Sequence, residues 1–220
     1  MEATGRPRVK VCCIASPSEA WMAVRAGASA LGLVSEMPSG PGVIDEAAIA
    51  RIAAEVPPPV ATFLLTSRRE VMAIAAQQRR TGASTVQICD RLTSGSYADL
   101  REAMPGIGLV QVIHVEGPEA VDEALEVAGH VDAILLDSGR PSLAVKELGG
   151  TGRRHDWSVS RRIRAAVPVP IFLAGGLRPE NVAEAVDAVG PFALDVCSGV
   201  RTDGALDPTK LHQFFEALNR

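Results

Sequence analysis

Four cysteines and two acidic positions hold most of the reactive chemistry in this 220-residue sequence. Cys12, Cys13, Cys89 and Cys197 are too few and too scattered for a disulfide scaffold, and no CxxC pair offers a zinc site. Cys12 falls in Val9-Lys10-Val11-Cys12, a run of strand character. Period-two alternation puts it on the face of Lys10 and Ile14, opposite Val11 and Cys13. Taken alone, a strand cysteine is ordinarily a small buried hydrophobe, and Cys13 is expected to face the helices as packing. Asp137 closes the run Ile134-Leu135-Leu136-Asp137. A carboxyl group behind three large apolar residues is half desolvated and suited to donating a proton, though the same place suits a cap on the next loop's N–H groups. Asp195 sits inside Ala193-Leu194-Asp195-Val196-Cys197, where an unpaired charge would be costly. It therefore meets either a ligand hydroxyl or an internal partner.

Two glycine-bearing turns have the chemistry of an anion cradle. Gly175 and Gly176 stand in Ala174-Gly175-Gly176-Leu177-Arg178-Pro179, and Ser198 and Gly199 in Cys197-Ser198-Gly199-Val200. Glycine lets backbone N–H groups approach an anion closely, and a helix start adds positive potential. The competing reading is that these glycines only turn tight corners. Gly149-Gly150-Thr151-Gly152 is a third glycine-rich segment, in a connection (138–157) long enough to be a lid. Arg153 and Arg154 follow directly, placed so that the lid can carry them over a pocket. Arg161, Arg162 and Arg164 read as a solvated helix face, and His130 and His212 as surface; His114 is a minor site candidate.

These groups need a scaffold, and the sequence supplies one repeatedly. Short apolar runs at 9–14, 29–34, 60–65, 85–89, 107–115, 133–137, 170–174 and 192–198 alternate with segments of helical period at 18–26, 45–54, 68–80, 97–103, 118–128, 158–166, 179–189 and 208–218. Solidly apolar strands are what a parallel sheet covered on both faces requires. Pro17, Pro118 and Pro179 suit first helical turns, and Ser16 with Glu19 forms a capping-box pattern. Eight βα units predict an α/β fold of the (β/α)8 TIM barrel type, with residues 1–220 as one domain. An open doubly wound sheet would want a glycine-rich loop after the first strand, and Cys13-Ile14-Ala15-Ser16-Pro17 has none. In such barrels function gathers at the C-terminal strand ends, and the loops after strands seven and eight commonly hold phosphate.

Charge and composition narrow the partners. Lys+Arg 22 against Asp+Glu 26 leaves −4, without the basic footprint of a nucleic-acid binder. Hydrophobic residues at 47% exclude a disordered chain. No stretch is apolar enough for a membrane span or a signal h-region, so a cytoplasmic chain with reduced thiols is expected.

Together these residues resemble the phosphoribosylanthranilate isomerase family of tryptophan biosynthesis. Val9-Lys10-Val11-Cys12 is similar to the family's Val-Lys-Ile-Cys, and Leu135-Leu136-Asp137-Ser138 to its Leu-Leu-Asp-Thr/Ser. The Gly149–Gly152 lid with Asp156-Trp157, the Leu173-Ala174-Gly175-Gly176-Leu177 turn and Asp195-Val196-Cys197-Ser198-Gly199-Val200 resemble its lid and phosphate loops. The likeness is dense at 9–34 and 131–200 and thin at 35–110. It implies a cofactor-free, metal-free aldose–ketose isomerase acting on a phosphorylated sugar amine, as a monomer or homodimer. Cys12 would be the general base and Asp137 the general acid. Gly150, Gly152, Gly175, Gly176, Ser198 and Gly199 would hold the phosphate end of the substrate, and Asp195 would lie near the sugar hydroxyls.

Three stretches depart from the family pattern. Cys13 stands where the family has glycine, and Cys89 where it has histidine. Pro38-Ser39-Gly40-Pro41-Gly42 stands where it has Ser-Pro-Arg, whose arginine reads the anthranilate carboxylate. A hydrogen bond to a charged group is worth roughly 1.5–3 kcal/mol, so the missing arginine weighs about 10–100-fold in binding. Arg153 or Arg154 is the candidate replacement. Two rival expectations follow: a sugar-phosphate-binding paralogue without catalysis or with altered specificity, and a Schiff-base lyase using Lys10 or Lys146.

Overall fold

A computed structural model of the chain describes residues 6–150 and 152–219. Residues 1–5, Thr151 of the lid segment and Arg220 lie outside the described residues. Eight parallel strands close into a barrel: β1 (Arg8–Val11), β2 (Ala30–Val34), β3 (Ala61–Thr66), β4 (Thr85–Ile88), β5 (Gly108–His114), β6 (Ala133–Asp137), β7 (Ile171–Leu173) and β8 (Ala193–Val196). Each is followed by a helix: α1 (Pro17–Ala26), α2 (Glu46–Glu55), α3 (Val71–Thr81), α4 (Tyr97–Ala103), α5 (Ala120–Ala128), α6 (Trp157–Ala166), α7 (Val182–Val189) and α8 (Pro208–Ala217). A two-stranded ribbon, β9 (Arg201–Thr202) and β10 (Ala205–Leu206), leads into α8. The predicted (β/α)8 barrel is the observed architecture.

Local signals explain where the helices begin. Ser16 accepts from the Glu19 N–H at 3.2 Å with Pro17 in the first turn, and Asp207 caps α8 in front of Pro208. Glu19 does not complete a box on Ser16; its carboxylate takes the Ala15 N–H at 3.0 Å and serves the ribbon. The complete capping box is on α4, between Ser96 and Asp99. Pro118 and Pro179 lie outside their helices, which start at Ala120 and Val182. At Pro179 the reason is a turn: Asn181 accepts from the Arg178 N–H at 2.9 Å and donates to the Gly176 carbonyl at 2.9 Å, delaying the helix to brace the loop.

The apolar residues separate into two layers. Val11, Leu31, Leu64, Ile113, Leu136 and Leu194 pack outward against Ala23, Ile49, Ile74, Ile163 and Phe214 of the helices. Ala30, Phe63, Leu65, Val110, Val112, Ala133 and Leu135 fill the barrel interior with Cys12. This inner layer is the floor on which the site rests.

Candidate active site

The floor of the site contains an ion pair. Lys10 and Asp195 lie in register on β1 and β8, and their charged groups meet at 2.9 Å inside the barrel. Asp195 thus has the internal partner that its burial demanded. The Lys10 ammonium also stands 3.6 Å from the Cys12 sulfur and 5.4 Å from the centre of the Phe63 ring. Burial alone would strip Lys10 of its proton, but the Asp195 carboxylate prevails and raises its pKa, so a cation is fixed beneath Cys12.

Strand β1 ends before the cysteines, which changes where they point. Cys12 N–H still bonds the Val196 carbonyl at 2.8 Å, but Cys13 takes φ +62°, a left-handed conformation uncommon outside glycine. That one residue breaks the alternation. Cys13 therefore turns into the cavity beside Cys12, instead of packing against the helices as expected, and Ile14 takes the place in the outer layer. The Cys13 sulfur lies 2.8 Å from the Cys197 sulfur and 3.7 Å from the Pro41 carbonyl. Hydrogen bonding from the Cys13 thiol is the strongest influence lowering the pKa of Cys12; burial opposes it and the Lys10 ammonium assists. The same bonding to Cys12 and Cys197, with burial added, pushes the Cys13 thiol up and keeps it protonated. Burial pushes Cys89 up to about 12. Of Cys12, Cys13 and Cys89, Cys12 is the one prepared to ionise.

Asp137 ends β6 and lines the same cavity, with 7% of its surface exposed. The lid covers it: Leu148 is buried, Gly149 lies against the Asp137 carboxylate, Gly150 against Pro41, and Ser39 donates to the Lys146 carbonyl at 2.7 Å. Gly152 approaches the Ser198 hydroxyl. Gly175, Gly176, Ser198 and Asp195 also line this cavity. Gly199 follows Ser198 in a single 3₁₀ turn (Ser198–Val200), and a side chain there would collide with the Leu177 carbonyl. Gly176, at φ +66°, would place a side chain 2.9 Å from the Arg153 backbone. Both glycines are therefore required by close approach between the β7 loop, the β8 loop and the lid. Among the described residues, the N–H groups of Gly175, Gly176, Ser198 and Gly199 have no backbone partner, which is the condition for an anion cradle.

Other sequence candidates fall outside the cavity. The Arg153 guanidinium pairs with Glu147; that of Arg154 pairs with Glu184 at 3.0 Å and lies 3.5 Å over the Trp157 ring. Both line a neighbouring cleft on the lid's outer side. His114 is bonded to the Cys89 carbonyl at 3.0 Å, and Lys146 to Asp90 at 2.5 Å. Gln87 belongs to none of the sequence motifs. It is 3% exposed and lines the cavity with its amide oxygen unbonded. A lone amide inside the apolar strand β4 was the available signal.

Comparison with known proteins identifies the family. The sequence model of the N-(5'-phosphoribosyl)anthranilate (PRA) isomerase family matches residues 9–217. The chain belongs to this family. It is 36% identical over 209 residues to N-(5'-phosphoribosyl)anthranilate isomerase 2 of Methanosarcina mazei, covering 94% of this chain and 92% of that protein. The phosphoribosyl anthranilate isomerase structure from Thermotoga maritima superposes with a TM-score of 0.79 at 30% identity, covering 97% of this chain and 98% of that one. A PRA isomerase structure in complex with reduced 1-(o-carboxyphenylamino)-1-deoxyribulose 5-phosphate gives 0.77 at 28% identity, with the same coverage. This chain is accordingly an intramolecular isomerase, and the cavity bounded by Cys12, Asp137 and the two glycine loops is its candidate active site. Among the described residues no helix is long and apolar enough to cross a membrane.

Proposed function

We propose that this enzyme isomerises N-(5'-phosphoribosyl)anthranilate to the corresponding 1-amino-1-deoxyribulose 5-phosphate in tryptophan biosynthesis, with Cys12 as general base and Asp137 as general acid. The supporting observation is that an ionisable thiol and a carboxyl group line one covered cavity, in a chain of the family named above. Asp137 protonates the ring oxygen as the furanose opens, and the amine nitrogen's lone pair forms the iminium. The Cys12 thiolate then removes the proton from the sugar carbon next to the former anomeric centre, giving an enolamine that tautomerises to the ketone. The Lys10 cation keeps the sulfur anionic before that transfer. Asp195 faces the sugar from the floor, and the unbonded Gln87 oxygen accepts a hydrogen bond from a substrate hydroxyl or N–H.

The phosphate seats on the N–H groups of Gly175, Gly176, Ser198 and Gly199, with Gly150 and Gly152 closing over it from the lid. The anthranilate ring lies against Val34, Met37, Leu65 and Leu148, an apolar wall of the same cavity. Its carboxylate needs a cation, and among the described residues no Arg or Lys lines the cavity. Arg154, at the foot of the lid, is the candidate to meet that need, because its pair with Glu184 is exposed and worth little. A binding-only protein would leave the Lys10-supported thiol without a task. The enzyme works in the cytoplasm as one 1–220 barrel domain, as a monomer or homodimer.

Cys12→Ala and Asp137→Asn should each lower turnover by about 10²–10⁴-fold, the usual worth of one general acid or base. Calorimetric binding of a reduced product analogue should stay near the wild-type value. Near-normal turnover in either variant would remove the assigned roles.

A further inference from the structure

We propose that Cys13 and Cys197 form a redox-active pair that closes into a disulfide across the seam between β1 and β8, at the edge of the phosphate loop. Val11 and Val196 are paired in register on those strands, so the residues just beyond them emerge side by side. The two sulfurs stand 2.8 Å apart as free thiols. A disulfide bond is about 2.05 Å long, so closure asks for under an ångström of movement. Both thiols line the substrate cavity and Cys197 is only half-buried, so a small oxidant that enters this cavity meets Cys197 first. The left-handed turn at Cys13 is what aims its sulfur there.

The oxidant class is a hydroperoxide. The Cys197 sulfur attacks the peroxide oxygen, the O–O bond breaks, and a sulfenic acid forms with release of water or alcohol. The Cys13 sulfur then attacks that sulfenic sulfur, the S–O bond breaks, and the departing hydroxide leaves as water with the Cys13 proton. Two thiols are oxidised and one peroxide is reduced. A dithiol reverses the bond by exchange. Closure draws Cys197, and with it the adjoining Ser198 and Gly199, toward β1, and it removes the Cys13 thiol from Cys12.

The test treats wild-type protein with hydrogen peroxide, blocks the remaining thiols by alkylation and maps the peptides by mass spectrometry. The expected product joins residues 13 and 197, lighter by two hydrogens and restored by dithiothreitol. Isomerase turnover should fall in parallel by roughly 100-fold, the scale of an ångström's misplacement in an active site, and return on reduction. Cys197→Ser should yield no such bridge and no reversible loss from its own starting rate. A bridge that includes Cys12, oxidation of Cys12 with residues 13 and 197 still free, or a bridge without change in turnover would each overturn the proposal. The peptide map is independent of the assigned isomerase chemistry, so failure of one is distinguishable from failure of the other.

Discussion

At residue 13 the chain accepts a cost. A non-glycine residue at φ +62° gives up roughly 1–2 kcal/mol relative to right-handed backbone, and the family pattern has glycine at this place. What the side chain supplies in return is a thiol beside Cys12, which with Lys10 lowers that group's pKa against burial. The sign of the pH dependence follows. In the proposed mechanism the base is active as thiolate, so activity is present above the Cys12 pKa and is lost as pH falls through it. Cys13→Ala keeps the backbone but removes the donor, so the acid limb of kcat/KM should move to higher pH. A limb that stays in place would show that Lys10 alone sets the thiolate. None of this was legible in the sequence, because period-two alternation assumes extended backbone at every step and cannot register one left-handed residue. The pairing of Lys10 with Asp195 was half legible. Burial of Asp195 demanded a partner, but only the closure of β1 on β8 identifies it.

At the scale of elements, Arg201 of β9 holds the turn from outside. Its guanidinium donates to the Cys13 carbonyl at 2.5 Å, the Cys12 carbonyl at 3.3 Å and the Glu19 carboxylate at 3.0 Å, tying the end of β1 to α1 and to the ribbon. Glu19 also receives the Leu206 N–H at 2.8 Å. Burial pushes the Glu19 carboxyl up, but Arg201 and the backbone donors outweigh it and lower its pKa. A depressed carboxylate pKa gives stability that is present above the unfolded value, about 4.3, and is lost as pH falls through the folded one. Glu19→Gln should therefore cost about 1–2 kcal/mol at pH 7, with the gap from wild type closing in acid. Urea midpoints at neutral and acidic pH would check this, and a gap independent of pH would contradict it. The strands were far more legible than these ties. Runs such as Ile134-Leu135-Leu136 and Leu31 to Val34 are apolar on both faces because both faces are covered, and that composition is local. Helix starts were legible where the cap is local, as at Ser16, and not where a side chain braces a loop first, as Asn181 does before α7.

For the whole molecule, the barrel's closure does the work that no local pattern can. It brings the ends of β1 and β6 to one mouth, sets the loops after β7 and β8 beside each other, and lays the long connection after β6 over all of them. That Cys12, Asp137 and the glycine turns after β7 and β8 share one cavity was readable from motifs; the present engagement of Arg153 and Arg154 with Glu147 and Glu184 was not, since it depends on how the lid settles. The proposed reaction turns on transfer of one proton from sugar carbon to the residue 12 sulfur. Substrate carrying deuterium at that carbon tests it most directly. Wild-type enzyme should release the label to solvent and show a primary isotope effect, whereas Cys12→Ala should bind the substrate and keep the label in place. Label released by Cys12→Ala at the wild-type rate would contradict the account.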